Sequence, residues 1–307
     1  MPNAIKKRIA IIGLGSIAQK AYLPIMTNHA KVIPVFCTRN EKTLNTLANQ
    51  YRVNKCYTDI DALIKSKPDA AMVHTATESH FNIVKSLLTA GIPTFVDKPL
   101  CYTLQETETL LNLATKTKTS LFVGFNRRYA PLIDQLKNNR PPIQISWQKN
   151  RVNLPADPRV FVLDDFIHVI DGLRFLAEGK VENLQAFPWI DKGLLQSVTV
   201  QWQQGNTLLS ATMNRVNGIT EERLEYFTKD HKWVIEELDS GYHFYNEIIT
   251  PLKFDNWTPT LYKRGFEQMI EAWLDSLEEK AVNLQRIEDI LETHRLCETI
   301  LSKIKID

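Results

Sequence analysis

The sequence predicts two domains of different class. The first is an N-terminal α/β domain of Rossmann type, with a doubly wound parallel sheet. The second is a C-terminal α+β domain with an open, mostly antiparallel sheet. Three observations point there. The first apolar run closes on a small-residue turn, Gly13-Leu14-Gly15-Ser16-Ile17-Ala18. Apolar runs then alternate with helical patterns up to Val123, as a parallel sheet requires. Beyond Asn138-Asn139-Arg140-Pro141-Pro142 strands follow strands instead. A chain of 307 residues accommodates both domains. The boundary is expected between residues 122 and 123, giving domains 1–122 and 123–307. Whether the C-terminal helices pack back on the first domain is left open.

Ile9 to Ile12 reads as a buried first strand and Val32 to Cys37 as the second. Glu41 to Gln50 is a helix, and Ala70 to His74 a short strand. Phe81, Val84, Leu87 and Leu88 recur at helical spacing within His80 to Ala90, and Gly91 stands at the stop position. Thr94 to Val96, Leu104 to Thr115 and Ser120 to Val123 continue as strand, helix and strand. In the second domain Val198, Val200 and Trp202 alternate with polar residues, as do Leu209, Ala211 and Met213. Gln204-Gly205-Asn206 joins them as a hairpin with one buried face. A second hairpin spans Leu224 to Leu238 around Lys229-Asp230, and helices cover Arg264–Leu277 and Leu284–Ile304.

Composition narrows the function classes. The net charge is +2, with no basic block, which argues against a nucleic-acid partner. No apolar run is long enough to span a bilayer. The short run behind Lys6, Lys7 and Arg8 reads as a first strand and not as a signal peptide. Cys37, Cys56, Cys101 and Cys297 are scattered without metal-like spacing, consistent with free thiols in a cytoplasmic protein.

Gly13-x-Gly15-x-x-Ala18 between strand and helix is a dinucleotide-binding fingerprint. Gly13 permits the turn, Gly15 lets a pyrophosphate approach the backbone, and Ala18 lets helix and strand pack closely. The helix N-terminus then faces the phosphates. The second strand ends in Cys37-Thr38-Arg39-Asn40, where NAD-specific sites carry an acid. A hydroxyl and a guanidinium suit a 2′-phosphate, which favours NADP(H) over NAD(H). The bland alternative is a surface arginine. Thr75 and Thr77 end the next strand and could bond the cofactor, while His80 could do so or simply start a helix capped by Ser79. Asp97-Lys98-Pro99 places a lysine at a strand end, able to stabilise an alkoxide or merely to pair with Asp97. Asp164, His168 and Asp171 share one helix face, with Leu163, Phe166, Ile170 and Leu173 opposite. They read as a catalytic dyad with its neighbour or as a solvated stripe; as a metal site they are under-liganded, and no metal is expected.

These motifs occur in order with Gly124-Phe125-Asn126-Arg127-Arg128-Tyr129, and together they resemble the Gfo/Idh/MocA oxidoreductases (glucose–fructose oxidoreductase, inositol dehydrogenase and relatives). Gly-Ser-Ile-Ala-Gln-Lys-Ala-Tyr-Leu-Pro and Val-Asp-Lys-Pro-Leu look particularly like the MviM-type branch. The family's Glu-Lys-Pro is Asp97-Lys98-Pro99 here, and its Thr-Pro-Asn is Thr75-Ala76-Thr77. The resemblance implies nicotinamide-dependent oxidation of a sugar or cyclitol secondary alcohol. By motif, Lys98 holds the reacting oxygen, His168 takes its proton and Asp164 orients His168. Cofactor candidates are Gly13, Gly15, Ser16, Ile17, Ala18, Thr38, Arg39, Thr75, Thr77, His80, Asp97 and Lys98. Substrate candidates are Arg127, Arg151, Asn153, Asp164 and His168, with salt bridges as the plain alternative for the arginines. The resemblance also implies a cis Lys98–Pro99 bond. A silent dinucleotide-binding regulator of the same fold is the rival reading. A homodimer or dimer of dimers is expected through the uncovered sheet face, with tryptophans such as Trp147, Trp202 and Trp233 as its large apolar residues; the alternative is a mostly polar face, with Ser197, Thr199, Gln201, Ser210 and Thr212 pointing to water.

Overall fold

The computed structural model describes residues 6–279 and 281–304. The chain divides into two compact units, Met1–Gly124 with Ile270–Leu291, and Phe125–Met269 with Glu292–Asp307.

The first unit holds a six-stranded, all-parallel sheet in the order β3-β2-β1-β4-β5-β6. Its strands are β1 Lys7–Ile12, β2 Val32–Cys37, β3 Cys56–Tyr57, β4 Ala70–Val73, β5 Thr94–Asp97 and β6 Leu121–Gly124. Ile9 to Ile12 and Ala70 to Val73 are buried throughout, because helices cover both faces of such a sheet. Strand order reverses between β1 and β4, the place where open α/β sheets bind ligands. There the register is level: Ile12 pairs with both Cys37 and Val73. Gly13, Thr38 and His74 therefore leave the sheet side by side. The expected helices appear as Glu41–Tyr51, His80–Thr89 and Leu104–Thr117, each within two residues of its predicted end. Asn40 and Thr103 cap two of them through side-chain oxygens. The helix after the glycine turn widens to i→i−5 bonding over Ala18–Tyr22. Pro24 lies just beyond and has no N–H to continue the tighter ladder.

The second unit holds an eight-stranded sheet in the order β14-β13-β12-β11-β7-β10-β9-β8. Its strands are β7 Gln144–Asn150, β8 Val181–Asp191, β9 Leu194–Gln204, β10 Thr207–Asn214, β11 Glu221–Thr228, β12 His231–Glu236, β13 Ser240–Tyr245 and β14 Ile248–Lys253. Every neighbouring pair is antiparallel except β7 and β10. Trp147 and Trp202 lie in phase with Val198, Val200 and Leu209, all buried. Trp233 is buried too. The three tryptophans thus do not stand on the uncovered face as the sequence suggested. The helix Ile167–Leu176 packs on this buried face, with Gly172 against Trp147. The opposite face carries Ser197, Thr199 and Gln201 together with exposed apolar residues: Phe187 and Trp189 on the edge strand β8, Leu208 on β10 and Tyr242 on β13. No helix among the described residues is long and apolar enough to cross a membrane.

Gly172 gives a direct test of this packing. A Cβ there would lie 2.3 Å from a ring carbon of Trp147. Gly172→Ala gains up to about 1 kcal/mol of helix propensity but incurs about 1–3 kcal/mol of overpacking against a rigid indole. A lower urea midpoint is expected; an unchanged or higher midpoint contradicts the packing.

Candidate active site

The candidate residues fall into two groups, one in each unit. In the first, Gly13 has φ +86° and no room for a side chain: a Cβ would lie 2.7 Å from Thr75 N and 2.9 Å from the His74 carbonyl carbon. Gly15 is the opposite case. A Cβ there would meet nothing within 4 Å, so the backbone faces open space beside the helix N-terminus. That is the room a pyrophosphate needs. A cavity of about 580 Å³ lies here, lined by Gly13, Gly15, Thr38, Arg39 and Thr75 among others. Arg39 is exposed and has no partner among the described residues, so its guanidinium fork is open. Asp59 also lines the cavity, but one of its carboxylate oxygens accepts Ala62 N–H at 2.8 Å as a helix cap. The residues present therefore fit a dinucleotide. Ala18 is buried under the turn, and Ser16 and Ile17 are exposed. These three, with Thr77, His80, Asp97 and Lys98, do not line the cavity.

His80 is buried, and both ring nitrogens face backbone carbonyls: Nδ1 is 2.9 Å from Pro99 O and Nε2 is 3.1 Å from Thr75 O. It braces the Lys98–Pro99 segment against the loop after β4. Ser79 precedes it without a side-chain cap. The Lys98–Pro99 peptide is cis. On the other side Asp97 Oδ1 accepts Lys98 N–H at 3.0 Å and the Tyr22 hydroxyl at 3.2 Å. Tyr22 in turn stacks on His74, with ring centroids 3.9 Å apart. Burial, with Asp97 nearby, pushes the Tyr22 hydroxyl pKa well up, so it stays a donor. Burial, reinforced by His80, pushes His74 down to about 3 and keeps it neutral. Tyr22 and His74 had no signal in the sequence, since an aromatic residue in a helix and a histidine at a strand end are both ordinary.

In the second unit a π-helical turn, Phe161–Phe166, runs into the helix Ile167–Leu176. Such turns recur at functional sites. Across residues 161–173 all side chains are buried except Asp164 and His168, which are half-exposed. Leu163, Phe166, Ile170 and Leu173 are buried as expected. Asp171 departs from the expected stripe. It is covered by Arg128, whose Nε donates to it at 2.8 Å, and by the Thr293 hydroxyl at 2.8 Å. It is a structural anchor.

Arg127 is buried beside His168, with Nη1 3.2 Å from Nδ1 and 3.3 Å from Nε2. A guanidinium only donates, so the ring nitrogen it bonds carries a lone pair. Glu222 holds the other side of Arg127, accepting Nε at 3.2 Å and Nη2 at 2.9 Å, and also takes Trp147 Nε1 at 3.2 Å. Burial alone would raise the Glu222 pKa; Arg127 and then Lys149 outweigh it and bring it down to about 2. Arg151 forks onto Asp165 through Nε at 2.8 Å and Nη2 at 3.0 Å. Asn153 stands exposed in the following loop at φ +42°. Glu222, Lys149 and Asp165 were invisible in the sequence, because their partners lie on other strands and helices.

Comparison with known proteins agrees with this architecture. The family described as "Oxidoreductase family, NAD-binding Rossmann fold" matches residues 7–125, and "YceM-like, C-terminal domain" matches residues 131–243. The YceM protein of Salmonella typhimurium is 30% identical over 299 residues, 95% of this chain and 96% of its own. A Gfo/Idh/MocA family oxidoreductase from Vibrio cholerae superposes with a TM-score of 0.91 at 37% identity, covering 97% of this chain and 99% of that one. A dehydrogenase, MviM, from Clostridium difficile gives 0.90 at 30% identity, with the same coverage of 97% and 99%.

The depressed Glu222 pKa ties stability to pH. With a folded value of about 2 against an ordinary 4.5, the pair with Arg127 is fully formed above pH 4.5 and is lost as pH falls toward 2. The contribution is on the order of 3 kcal/mol. Urea midpoints measured from pH 6 down to 2.5 should fall less steeply in Glu222→Gln than in the parent. Parallel curves would mean that Glu222 is not held ionised by Arg127.

Proposed function

Because the chain belongs to the Gfo/Idh/MocA oxidoreductase family, on its MviM-type branch, we propose that it transfers a hydride between NADP(H) and a secondary alcohol of a sugar or cyclitol. The observation that carries the cofactor choice is the joint lining of one cavity by Gly13, Gly15, Thr38 and Arg39. Thr38 and the open guanidinium of Arg39 stand at the end of β2, where a 2′-phosphate would be met by charge and a fork of donors. The nicotinamide, when bound, accepts or gives the hydride.

In this reading Lys98 stabilises negative charge on the reacting oxygen as its proton leaves. His168 accepts that proton on a ring nitrogen, and Asp164, its half-exposed neighbour one turn earlier, orients the ring. Arg127 acts as a positioning residue: anchored on Glu222, it fixes the imidazole from behind. Asp97, Tyr22 and His80 hold the Lys98–Pro99 segment from two sides. The family resemblance and the pairing of half-exposed Asp164 and His168 in the otherwise buried stretch 161–173 support these roles.

NADPH should bind at least about tenfold more tightly than NADH, the scale of one charge-assisted contact. Titration by nicotinamide fluorescence should show that preference vanish in Arg39→Ala. Equal affinities in the parent protein overturn the assignment.

On a substrate found by screening polyols and sugars, Lys98→Met and His168→Ala should each lose turnover by about 10²-fold or more. NADPH should still bind His168→Ala as it binds the parent, and Asp164→Asn should lose less than His168→Ala. Undiminished turnover in both Lys98→Met and His168→Ala contradicts the assigned chemistry.

A further inference from the structure

Within the oxidoreductase reading, on which this rests, we propose that the substrate carries an anionic oxygen group, a phosphate or a carboxylate, and that Arg151 and Arg215 receive it. The parallel pairing of β7 and β10 brings the ends of these strands together, and Arg151 N–H donates to Asn214 O at 2.8 Å. Lys149, Arg151 and Arg215 thereby converge on one carboxylate, Asp165. Lys149 Nζ lies 2.5 Å from Oδ1, Arg151 forks onto both oxygens, and Arg215 Nη2 stands 3.8 Å from Oδ2. Three cations share one anion.

The neighbouring charges do not restore the balance. Arg127 is matched by Glu222. Asp164 faces Arg215 and offsets one charge. Glu237 is exposed, approaches Arg151 electrostatically, and stands 3.8 Å from Arg264, which it offsets. With Lys149 protonated, five cations (Arg127, Lys149, Arg151, Arg215, Arg264) meet four carboxylates (Asp164, Asp165, Glu222, Glu237). Burial above all, with Arg127 adding to it, lowers the Lys149 pKa to about 7, so at neutral pH Lys149 carries only part of a charge and the lasting cations facing Asp165 are Arg151 and Arg215.

The donors are under-used as well. Arg215 is only 6% exposed, yet its Nε and Nη1 have no hydrogen-bond partner. Its guanidinium carbon lies 5.1 Å from the Phe161 ring centroid, which gives cation–π attraction but no acceptor atom. Buried polar groups are almost always bonded, so an unbonded guanidinium calls for a function. Arg151 is the accessible end of the cluster: its side chain is 31% exposed, and Nη1 has no partner among the described residues. The donors left over on Arg151 and Arg215, both beside Asp165, suit an oxyanion, because planar guanidinium forks match phosphate and carboxylate oxygens. Asp165 follows Asp164 directly, so the anion would dock beside the residues assigned to the chemistry.

The test uses the protein saturated with NADPH, so that the pyrophosphate and 2′-phosphate contacts are already filled. Inorganic phosphate and acetate are titrated separately by calorimetry, with sodium chloride at matched ionic strength as the control. At least one anion should bind saturably, and its affinity should fall about tenfold or more in both Arg151→Gln and Arg215→Lys. The second variant keeps the buried charge and guards against misfolding of the first. Phosphate binding alone identifies a phosphorylated substrate, and acetate binding alone a sugar acid. No saturable binding of either anion overturns the proposal, as does binding that both variants retain. Failure of NADPH itself to bind would instead bring down the oxidoreductase reading, and this proposal with it.

Discussion

The close approach of β1 to the loop after β4 governs the first unit. Gly13 sits 2.7 Å, by its absent Cβ, from Thr75 N, so any side chain would force the two strand ends apart. The level register at Ile12, Cys37 and Val73 depends on that closeness. So does the cavity, because Gly15, Thr38, Arg39 and Thr75 line it only while their strands end together. The same loop is tied to the next strand end: His80 touches Thr75 O and Pro99 O at once. A cofactor crevice and a lysine-bearing segment are thus parts of one mechanical unit. Their geometry is set by backbone contacts that tolerate little change, and the specific side chains are placed at its rim.

The second unit works by a different balance. Buried ions are costly unless paired with good geometry. Glu222 and Arg127 meet that condition through two hydrogen bonds and a third from Trp147. Their pairing gives Arg127 a fixed edge to present to His168. The cluster around Asp165 meets it less completely, with Arg215 donors left over. Stability alone does not ask for that surplus, since apolar residues of similar size would fill the space at lower cost. Half-exposed Asp164 and His168 in the otherwise buried stretch 161–173 follow the same logic: polar groups kept accessible where burial would be easier.

Much of this was legible in the sequence, for physical reasons. Buried parallel strands read as unbroken apolar runs, which is why β1, β2 and β4 were found almost to the residue. The β9–β10 hairpin showed itself by strict alternation. Edge strands escaped: β8 is exposed or half-exposed along its whole length and contains Pro188, so neither period stands out. At the other edge β14, exposed or half-exposed throughout and containing Pro251, was missed for the same reason. The tryptophan error came from parity. Alternation separates two faces without saying which is covered, and Trp202 lies in phase with the buried Val198 and Val200. The first-unit motif residues were local in sequence and easy to find. Tyr22 on Asp97 and Glu222 on Arg127 join positions 75 and 95 residues apart, and no local pattern encodes such pairs.

The chain is an oxidoreductase with an NAD(P)-binding Rossmann domain, and the account turns on where the dinucleotide lies and how its 2′-phosphate is held. A crystal structure of the protein with NADP⁺ tests this most directly. The account predicts the pyrophosphate over Gly15 at the helix N-terminus, with the 2′-phosphate within hydrogen-bond reach of Arg39 and Thr38. A dinucleotide whose 2′-phosphate points away from both residues, or one bound outside this cavity, would contradict it.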